Sequence, residues 1–221
     1  MTDVVRINIF VEGQTEETFV RDVLYQPFSD KNIFLTPILV RTSARGKGGI
    51  SNYEKIKWQI DEKCKEDRKS FVTTMFDFYK LPNNFPGIAG LVNLSDPYAK
   101  VYHLEGELTK HINHSNFIPY ISLHEFEALL FSDLQKFEVW FDKGAVNKLT
   151  KECQQFESPE LVNNGSETAP SKRILKYCEG YDKVIHGSSI ALSIGIGLMR
   201  NQCKHFDKWL IKLENLQINK F

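Results

Sequence analysis

The chain has 221 residues, 42% of them hydrophobic, and equal numbers of basic and acidic residues, 28 of each. A chain of this size can bury a substantial core, so it suits one large domain or one domain with an appendage. The zero net charge removes the simplest electrostatic argument for a nucleic-acid binder, and no apolar stretch reaches the roughly 20 residues that cross a bilayer. The four cysteines lack a Cys-x-x-Cys spacing and no signal peptide precedes the first strand, which predicts a cytoplasmic protein with reduced thiols.

The first predicted element is a buried strand over residues 4–11, a β-branched run that stops at Glu12 and Gly13. Gly13 gives the backbone the freedom to leave the strand sharply. Thr15 is predicted to be the N-cap of the helix that follows. We therefore expect Glu12 at the carboxyl end of a strand, where open α/β sheets bind their ligands.

The next elements alternate between strands and helices. A strand is predicted over residues 33–40, with Pro37 indicating an edge position, then a helix over 53–67 and a strand over 71–76 that ends at Asp77. This order predicts an α/β fold with a mainly parallel sheet flanked by helices. A helix over 98–111, a strand over 117–123 and a helix from His124 to Phe131 follow. Beyond residue 132 the pattern is helical, which divides the chain into a core over 1–132 and a helical extension over 133–221, or leaves one domain over 1–221.

Acidic residues follow three of the predicted strands: Glu12 with Glu16, Asp77, and Glu125 with Glu127. Carboxylates gathered in one crevice repel one another unless they hold protons or a cation. Hard oxygen ligands suit Mg²⁺ or Mn²⁺, and such ions activate water and stabilise the leaving oxygen in phosphodiester cleavage. The alternative is that each acid caps a helix or pairs with a nearby base.

A helix that begins at His124 would place Glu127 on its apolar face and Glu125 on the other side. An acid on an apolar face needs a partner, so Glu127 is the stronger candidate metal ligand. His124 could orient Glu127 without touching the metal itself, or it could be an ordinary core histidine.

Two cationic segments could meet a phosphate. The first is a glycine-rich loop that contains Arg45, Lys47, Gly48 and Gly49 but lacks the spacing of a Walker A motif; it could also be an ordinary connection. The second lies at a predicted helix start, where Lys172 could stabilise the charged transition state of phosphoryl transfer and Arg173 could bind a phosphate. Its alternative is plain surface charge.

Five motifs together resemble a known family. They are Glu-Gly-x-Thr-Glu at 12–16, Lys-Gly-Gly at 47–49, Phe-Asp-Phe-Tyr at 76–79, His-Glu-Phe-Glu-Ala-Leu-Leu-Phe at 124–131 and Pro-Ser-Lys-Arg at 170–173. The first resembles the Toprim fold of topoisomerases, primases and several nucleases. The set resembles a Toprim-like bacterial family, domain of unknown function 4276, which is distantly similar to the overcoming-lysogenization-defect nucleases.

The resemblance implies a parallel sheet with Glu12 as the Toprim acid and Asp77 as the first acid of an Asp-x-Asp pair. Tyr79 stands where the second aspartate is usual, so a standard metal ligand is missing. Tyr79 and His124 are expected to lie next to the metal ligands without binding the metal. The resemblance also implies that Glu125, Glu127 and Lys172 serve as the further acids and the distant lysine. Relatives often accompany an ATPase of the ABC or AAA type in bacterial defence.

The sequence therefore predicts a Mg²⁺- or Mn²⁺-dependent phosphodiesterase that acts on DNA or RNA. Glu12, Glu16, Asp77 and Lys172 would be catalytic, and Glu12, Asp77, Glu125 and Glu127 would hold metal. The rival hypothesis is a non-catalytic Toprim-like module that binds nucleic acid or docks on an ATPase. A third is a metal-dependent enzyme that acts on small phosphoesters.

Overall fold

The computed structural model describes residues 4–41, 52–162 and 168–217, so the glycine-rich loop with Arg45, Lys47, Gly48 and Gly49 lies outside the described residues. Within them, five strands form a sheet in which every pair is parallel. The strands are β1 (Val5–Val11), β2 (Ile33–Leu39), β3 (Phe71–Asp77), β4 (Phe117–Ile118) and β5 (Ile121–Ser122). This confirms the predicted α/β class with a mainly parallel sheet, flanking helices and a helical C-terminal part.

The strand order is β2-β1-β3-β4, with β5 pairing to the last residues of β3. β1 is central because its β-branched residues are buried by neighbours on both sides, and Val11 lies level with Met75 of β3. β2 is at the edge of the described sheet, as Pro37 predicted, since a proline cannot donate to a second ladder. The ends of β1 and β3 therefore lie side by side, which places the residues that follow them on one rim.

Ten α-helices surround the sheet in the described residues. They are α1 (Gln14–Phe19), α2 (Tyr25–Ser29), α3 (Tyr53–Glu66), α4 (Pro97–Ile112), α5 (Glu127–Leu130), α6 (Lys143–Cys153), α7 (Pro170–Tyr177), α8 (Ser188–Ile194), α9 (Ile196–Gln202) and α10 (Lys204–Glu214). Two five-residue π-helical segments, Val20–Leu24 and Lys183–Gly187, and five short 3₁₀ segments complete the helical structure: Phe78–Lys80, Ile88–Asn93, Leu134–Val139, Pro159–Leu161 and Asn215–Gln217.

The hydrophobic core lies on both faces of the sheet. Alternate residues of β1, from Val5 to Val11, pack with the C-terminal helices, whereas Phe10 packs with α3 and α4 on the other face. Trp209 of α10 is buried in the first layer, and its indole N–H donates to Thr73 Oγ1 of β3 at 2.9 Å. The helices that follow residue 132 therefore share a core with the sheet.

Two sequence predictions, about the fourth strand and about the cap of the first helix, are wrong. The predicted strand over 117–123 is two short strands, because Pro119 offers no N–H and Thr74 Oγ1 bonds both the N–H and the carbonyl of Tyr120 (2.9 and 2.8 Å) in place of regular ladder bonds. The N-cap of α1 is Gly13, with no side-chain bond, rather than Thr15, which is buried inside the helix. Because the helix already begins at Gln14, Thr15 lies within its first turn and cannot be the residue that precedes it.

All four cysteines are free and buried. Burial raises the pKa of each thiol, to about 12 for Cys64 and about 11 for Cys153 and Cys178. Among the described residues, no helix combines the length and apolar character that crossing a bilayer requires.

Candidate functional site

The carboxyl ends of β1 and β3 bring two acids into contact. Glu12 follows β1 and Asp77 ends β3, and both side chains are buried. The backbone N–H of Asp77 donates to Glu12 Oε1 at 2.7 Å, and Asp77 Oδ1 accepts from the N–H of Phe126 at 3.0 Å. Asp77 therefore joins the end of β1 to the segment that leads into α5.

Glu16 of α1 and Glu127 of α5 complete what we call the acidic cluster: Glu12, Glu16, Asp77 and Glu127. Lys183 lies between its members, with Nζ 2.9 Å from Glu16 Oε1, 3.3 Å from Glu127 Oε2 and 4.0 Å from Asp77 Oδ2. A second cation, Lys80, lies 3.0 Å from Asp77 Oδ2. Four acids from three segments that are distant in sequence thus converge on one rim of the sheet.

Lys183 is the first residue of the π-helical segment Lys183–Gly187. The Asp182 side chain caps this segment by accepting from the N–H groups of Val184 and Ile185, both at 2.9 Å. Such segments are rare and often occur at functional sites. Sequence reasoning missed Lys183, since only Asp182 as a capping residue precedes it and a single capping residue is a weak signal.

Burial changes the protonation of the cluster. It raises the pKa of Glu12 to about 8, with a further contribution from the charge of Asp77. It also raises the pKa of Glu127 to about 7, even though Lys183 opposes the shift. Burial alone would lower the pKa of Lys183, but Asp77, Glu127 and Glu16 outweigh it and hold that pKa well above its usual range.

Buried polar atoms without a hydrogen-bond partner concentrate at this rim. Glu12 Oε2 has none. Neither oxygen of Glu127 accepts a hydrogen bond, although Lys183 Nζ lies 3.3 Å from Oε2. The other such atoms in the described residues are those of Ser122, which pairs with Asp77 in the sheet, and of Tyr53, His124, Tyr181, Ser188 and His205. Buried groups normally find partners, so this concentration marks a place where a ligand, ion or water belongs.

The donor chemistry of the cluster suits a hard divalent cation, because unpartnered carboxylate oxygens are the ligands that Mg²⁺ and Mn²⁺ prefer. In the arrangement described, Lys183 supplies the positive charge between the acids, and in the three described ranges no three His, Cys, Asp or Glu side chains form a group that could hold a metal. A metal would therefore compete with Lys183 for these oxygens.

Glu125, His124 and Tyr79 border the cluster in different ways. Glu125 is buried, and its Oε2 accepts from the Ser171 N–H of α7 at 3.0 Å, so this oxygen is bound to α7. The helix predicted from His124 begins only at Glu127, because His124 adopts a left-handed backbone with φ of 66°. Burial and the charge of Lys100 lower the pKa of His124 to about 4. Tyr79 is 44% exposed, and its N–H donates to the carbonyl of His124 at 3.3 Å.

The two cations expected at the start of α7 do not occupy the cluster. Lys172 lies exposed on the first turn of α7, whereas Lys183 and Lys80 contact the acids. Arg173 is buried, and its guanidinium bonds Glu152 and the carbonyl of Thr168 and lies over the ring of Phe156. A buried arginine must be paired in this way, so Arg173 holds α7 to α6 and is not free to bind a phosphate.

Comparisons with known proteins give two similar solved chains and one family. Both chains are the C-terminal region of the Xanthomonas campestris pv. campestris OLD protein, phased with iodine in one and with mercury in the other. The first is 14% identical, covers 94% of this chain and 97% of its own, and has a TM-score of 0.38. The second is 12% identical, covers 94% and 98%, and has a TM-score of 0.39. No curated protein matches. The model of the family described as "domain of unknown function (DUF4276)" matches residues 11–214, as the motifs predicted, and the chain belongs to this family.

Proposed function

We propose that the protein is a Mg²⁺- or Mn²⁺-dependent phosphodiesterase of Toprim type that cuts nucleic acid. The observation that carries the proposal is the convergence of Glu12, Glu16, Asp77 and Glu127 around Lys183, with oxygens of Glu12 and Glu127 unpartnered. Glu12, Asp77 and Glu127 would hold metal, with Glu16 as an auxiliary ligand. A bound divalent cation supplies Lewis-acid activation of the phosphodiester and of water.

In this proposal Lys183 takes the role that the family resemblance implies for Lys172. Its side chain is still 29% exposed, so its ammonium group can reach a substrate from within the cluster. The raised pKa keeps Lys183 charged at any physiological pH. A fixed ammonium group next to the scissile phosphate stabilises the negative charge that develops in the transition state. Lys80, anchored to Asp77, balances the charge of the acids when Lys183 turns toward substrate.

The decisive test is cleavage of plasmid DNA, single-stranded DNA and total RNA with Mn²⁺. Glu12→Gln and Asp77→Asn each keep the oxygen that accepts a backbone N–H, so the fold should be preserved. We expect each to lower the cleavage rate by roughly 100-fold or more. Glu17→Gln, one residue from the cluster, is the matched control and should keep wild-type activity. Activity that survives both cluster substitutions would refute the proposal. Turnover of small phosphoesters without any polynucleotide would instead support the third hypothesis, a metal-dependent enzyme that acts on small phosphoesters.

A second candidate is the non-catalytic module that binds nucleic acid or an ATPase. It is favoured by Lys183, which already neutralises the acids, and by Tyr79, which stands where a second aspartate is usual in the resembling family. Thermal unfolding with Mn²⁺ separates the two. A working metal site gains about 2.7 kcal/mol of stability when the ion is 100-fold above its Kd, whereas no shift at millimolar Mn²⁺ favours the module.

The partnership with an ABC- or AAA-type ATPase in bacterial defence is part of the proposal and is supported by the family resemblance of the motifs. Co-expression with an ATPase encoded beside this gene, followed by size-exclusion chromatography and the Mn²⁺ cleavage assay, tests it. We expect a joint complex with altered cleavage. Separate elution and unchanged cleavage would remove the ATPase from the proposal.

A further inference from the structure

A line of aromatic rings, which we call the ring strip, runs outward from the acidic cluster and consists of Tyr181, His186 and Trp140. The rings of Tyr181 and His186 lie 6.0 Å apart and nearly parallel, and the rings of His186 and Trp140 lie 5.1 Å apart edge to face. Phe141 packs against the first two, at 6.3 Å from Tyr181 and 5.2 Å from His186. The rings therefore form one continuous surface element.

The ring strip begins at the acidic cluster. Tyr181 is buried, its hydroxyl has no hydrogen-bond partner, and Glu127 is the main charge that acts on it. The π-helical segment Lys183–Gly187 carries both Lys183, whose Nζ lies among the acids, and His186 of the ring strip. The N–H of Asp182 donates to His186 Nδ1 at 2.8 Å, which fixes the imidazole in the strip. One short segment thus links the cation of the cluster to the rings.

The outer end of the ring strip is exposed. Trp140 is 45% exposed, and Val139 beside it is 74% exposed. Ile185, which neighbours His186, is 61% exposed. Large apolar side chains left in solvent together indicate a binding surface, and a half-exposed tryptophan offers a flat face on which a base can stack.

We propose that the ring strip stacks unpaired bases of a single-stranded nucleic acid whose backbone phosphate lies at the acidic cluster. This rests on the proposed function and gives it a substrate class. Lys183 and His186 belong to one five-residue segment, and the ring of His186 contacts that of Trp140, so a strand whose phosphate lies at Lys183 would continue toward the exposed end of the ring strip. In a duplex the bases stack on one another and cannot present a face to these rings, so the ring strip selects single strands or locally opened DNA.

The test measures binding without cleavage. Full-length protein with Ca²⁺ in place of Mn²⁺, so that a hard cation is present at the acids, is titrated into fluorescein-labelled 15-mers of single-stranded DNA, single-stranded RNA and duplex DNA, and binding is followed by anisotropy. Trp140→Ala should weaken binding of single strands about tenfold, which is one lost base stack, and change duplex binding by less than twofold. Trp140→Phe should restore most of the affinity because it restores a ring. The DNA and RNA arms show which single strand the protein prefers.

Trp58→Ala is the matched control. Trp58 is an exposed tryptophan too, at 65%, but it lies on α3, which packs on the opposite face of the sheet. We expect this variant to bind like the wild type. The proposal is overturned if Trp140→Ala binds single strands like the wild type, if Trp58→Ala loses as much, if duplex binding falls equally, or if the wild type binds neither single strand.

Failure of this inference is distinguishable from failure of the proposed function. Single-strand binding that depends on Trp140, without Mn²⁺-dependent cleavage, would refute catalysis and support the ring strip. Cleavage that depends on Glu12, with no single-strand preference and no effect of Trp140→Ala, would support catalysis and overturn the ring strip. If Trp140→Ala instead abolishes association with the ATPase and leaves nucleic-acid binding intact, the surface is a protein interface and the inference is wrong.

Discussion

Two groups of buried carboxylates in this protein have the same residue type and similar burial but opposite bonding. In the first, around His205, Glu160 accepts the N–H of His205 at 3.0 Å and that of Phe206 at 2.9 Å. Glu105 accepts the N–H of Ile121 at 3.0 Å and lies 3.0 Å from His205 Nε2. These acids hold the start of α10 against the sheet. Sequence reasoning did not single out either of them.

In the second group, the acidic cluster, oxygens of Glu12 and Glu127 lack hydrogen-bond partners, and burial raises the pKa of both acids. A buried carboxylate with satisfied oxygens stabilises the fold, whereas one with unsatisfied oxygens lowers stability and is retained for another reason. Bonding of the oxygens, rather than burial, therefore separates Glu105 and Glu160 from Glu12 and Glu127, whereas Asp77, which accepts from the Phe126 N–H and from Lys80, resembles the first group. Four predictions test this difference between the two groups of acids.

The largest loss of stability expected from one substitution is in the first group. Glu160→Ala leaves two backbone N–H groups at the start of α10 and the Tyr98 hydroxyl without their acceptor, so we expect a loss of about 3 kcal/mol in the free energy of unfolding. Glu127→Gln should change it by less than about 1 kcal/mol at pH 5, where the raised pKa keeps Glu127 protonated in the folded protein and the substitution exchanges one neutral side chain for another. Urea denaturation measures both. Equal losses for the two variants would abolish the distinction.

The next prediction concerns pH. Glu12 in the unfolded chain ionises near its ordinary pKa of 4.5, but in the folded protein it keeps its proton up to about pH 8. The folded state therefore binds more protons, and the free energy of unfolding should fall by roughly 1.4 kcal/mol per pH unit for this group between pH 5 and 8. Urea denaturation in EDTA should show this fall together with a second contribution from Glu127, whose pKa is raised to about 7, and Glu12→Gln should remove the part that belongs to Glu12. An identical slope in that variant would mean that Glu12 titrates normally.

A smaller effect is expected for the cation between the acids. Lys183→Met removes the positive charge that competes for the oxygens of Glu16 and Glu127, so Mn²⁺ should bind about tenfold more tightly. Cleavage should be lost at the same time, because the proposed contact to the phosphate is gone. Calorimetric titration with Mn²⁺ measures the affinity, and Lys80→Met, which removes a cation on the outer side of Asp77, is the comparison variant. Weaker Mn²⁺ binding in Lys183→Met would show that Lys183 supports the metal site instead.

The smallest effect concerns His124, whose left-handed backbone is unfavourable for any residue with a Cβ. His124→Gly should raise stability by up to about 1 kcal/mol because glycine adopts this conformation freely. If the imidazole has no role in orienting Glu127, Mn²⁺ binding should be unchanged in this variant. A loss of stability in thermal unfolding would show that imidazole packing outweighs the backbone strain.

Much of the rim could be predicted from the sequence. The alternation of strands and helices implies parallel pairing, and parallel pairing puts the ends of β1 and β3 on the same edge. The contact between Glu12 and Asp77 is therefore predictable, because each acid stands at the end of a strand that its own local pattern predicts. Pro37 marked the edge strand in the same way. These inferences succeeded because they need only the hydrophobic periodicity, the positions where strands end and the handedness of the connections between parallel strands.

Other parts of the site could not be predicted because they depend on distant contacts. The burial of Glu127 was expected from a helix that starts at His124, yet that helix starts three residues later and Glu127 is buried through the turn that Asp77 holds. Lys183 is far from the acids in sequence and sits on a π-helical segment, for which no sequence signature is known. Both Lys172 and Arg173 were candidates to contact a phosphate. Only the packing of α7 against α6 shows that the Arg173 guanidinium is paired with Glu152.

The burial of the four cysteines has a practical consequence. Thiols react with maleimides as thiolates, and burial keeps Cys64, Cys153, Cys178 and Cys203 protonated and out of reach at neutral pH. A single cysteine introduced on the surface would therefore carry a dye or spin label selectively, without prior replacement of the native thiols. Labels placed on either side of the rim would report movements of the Lys183 segment directly in solution.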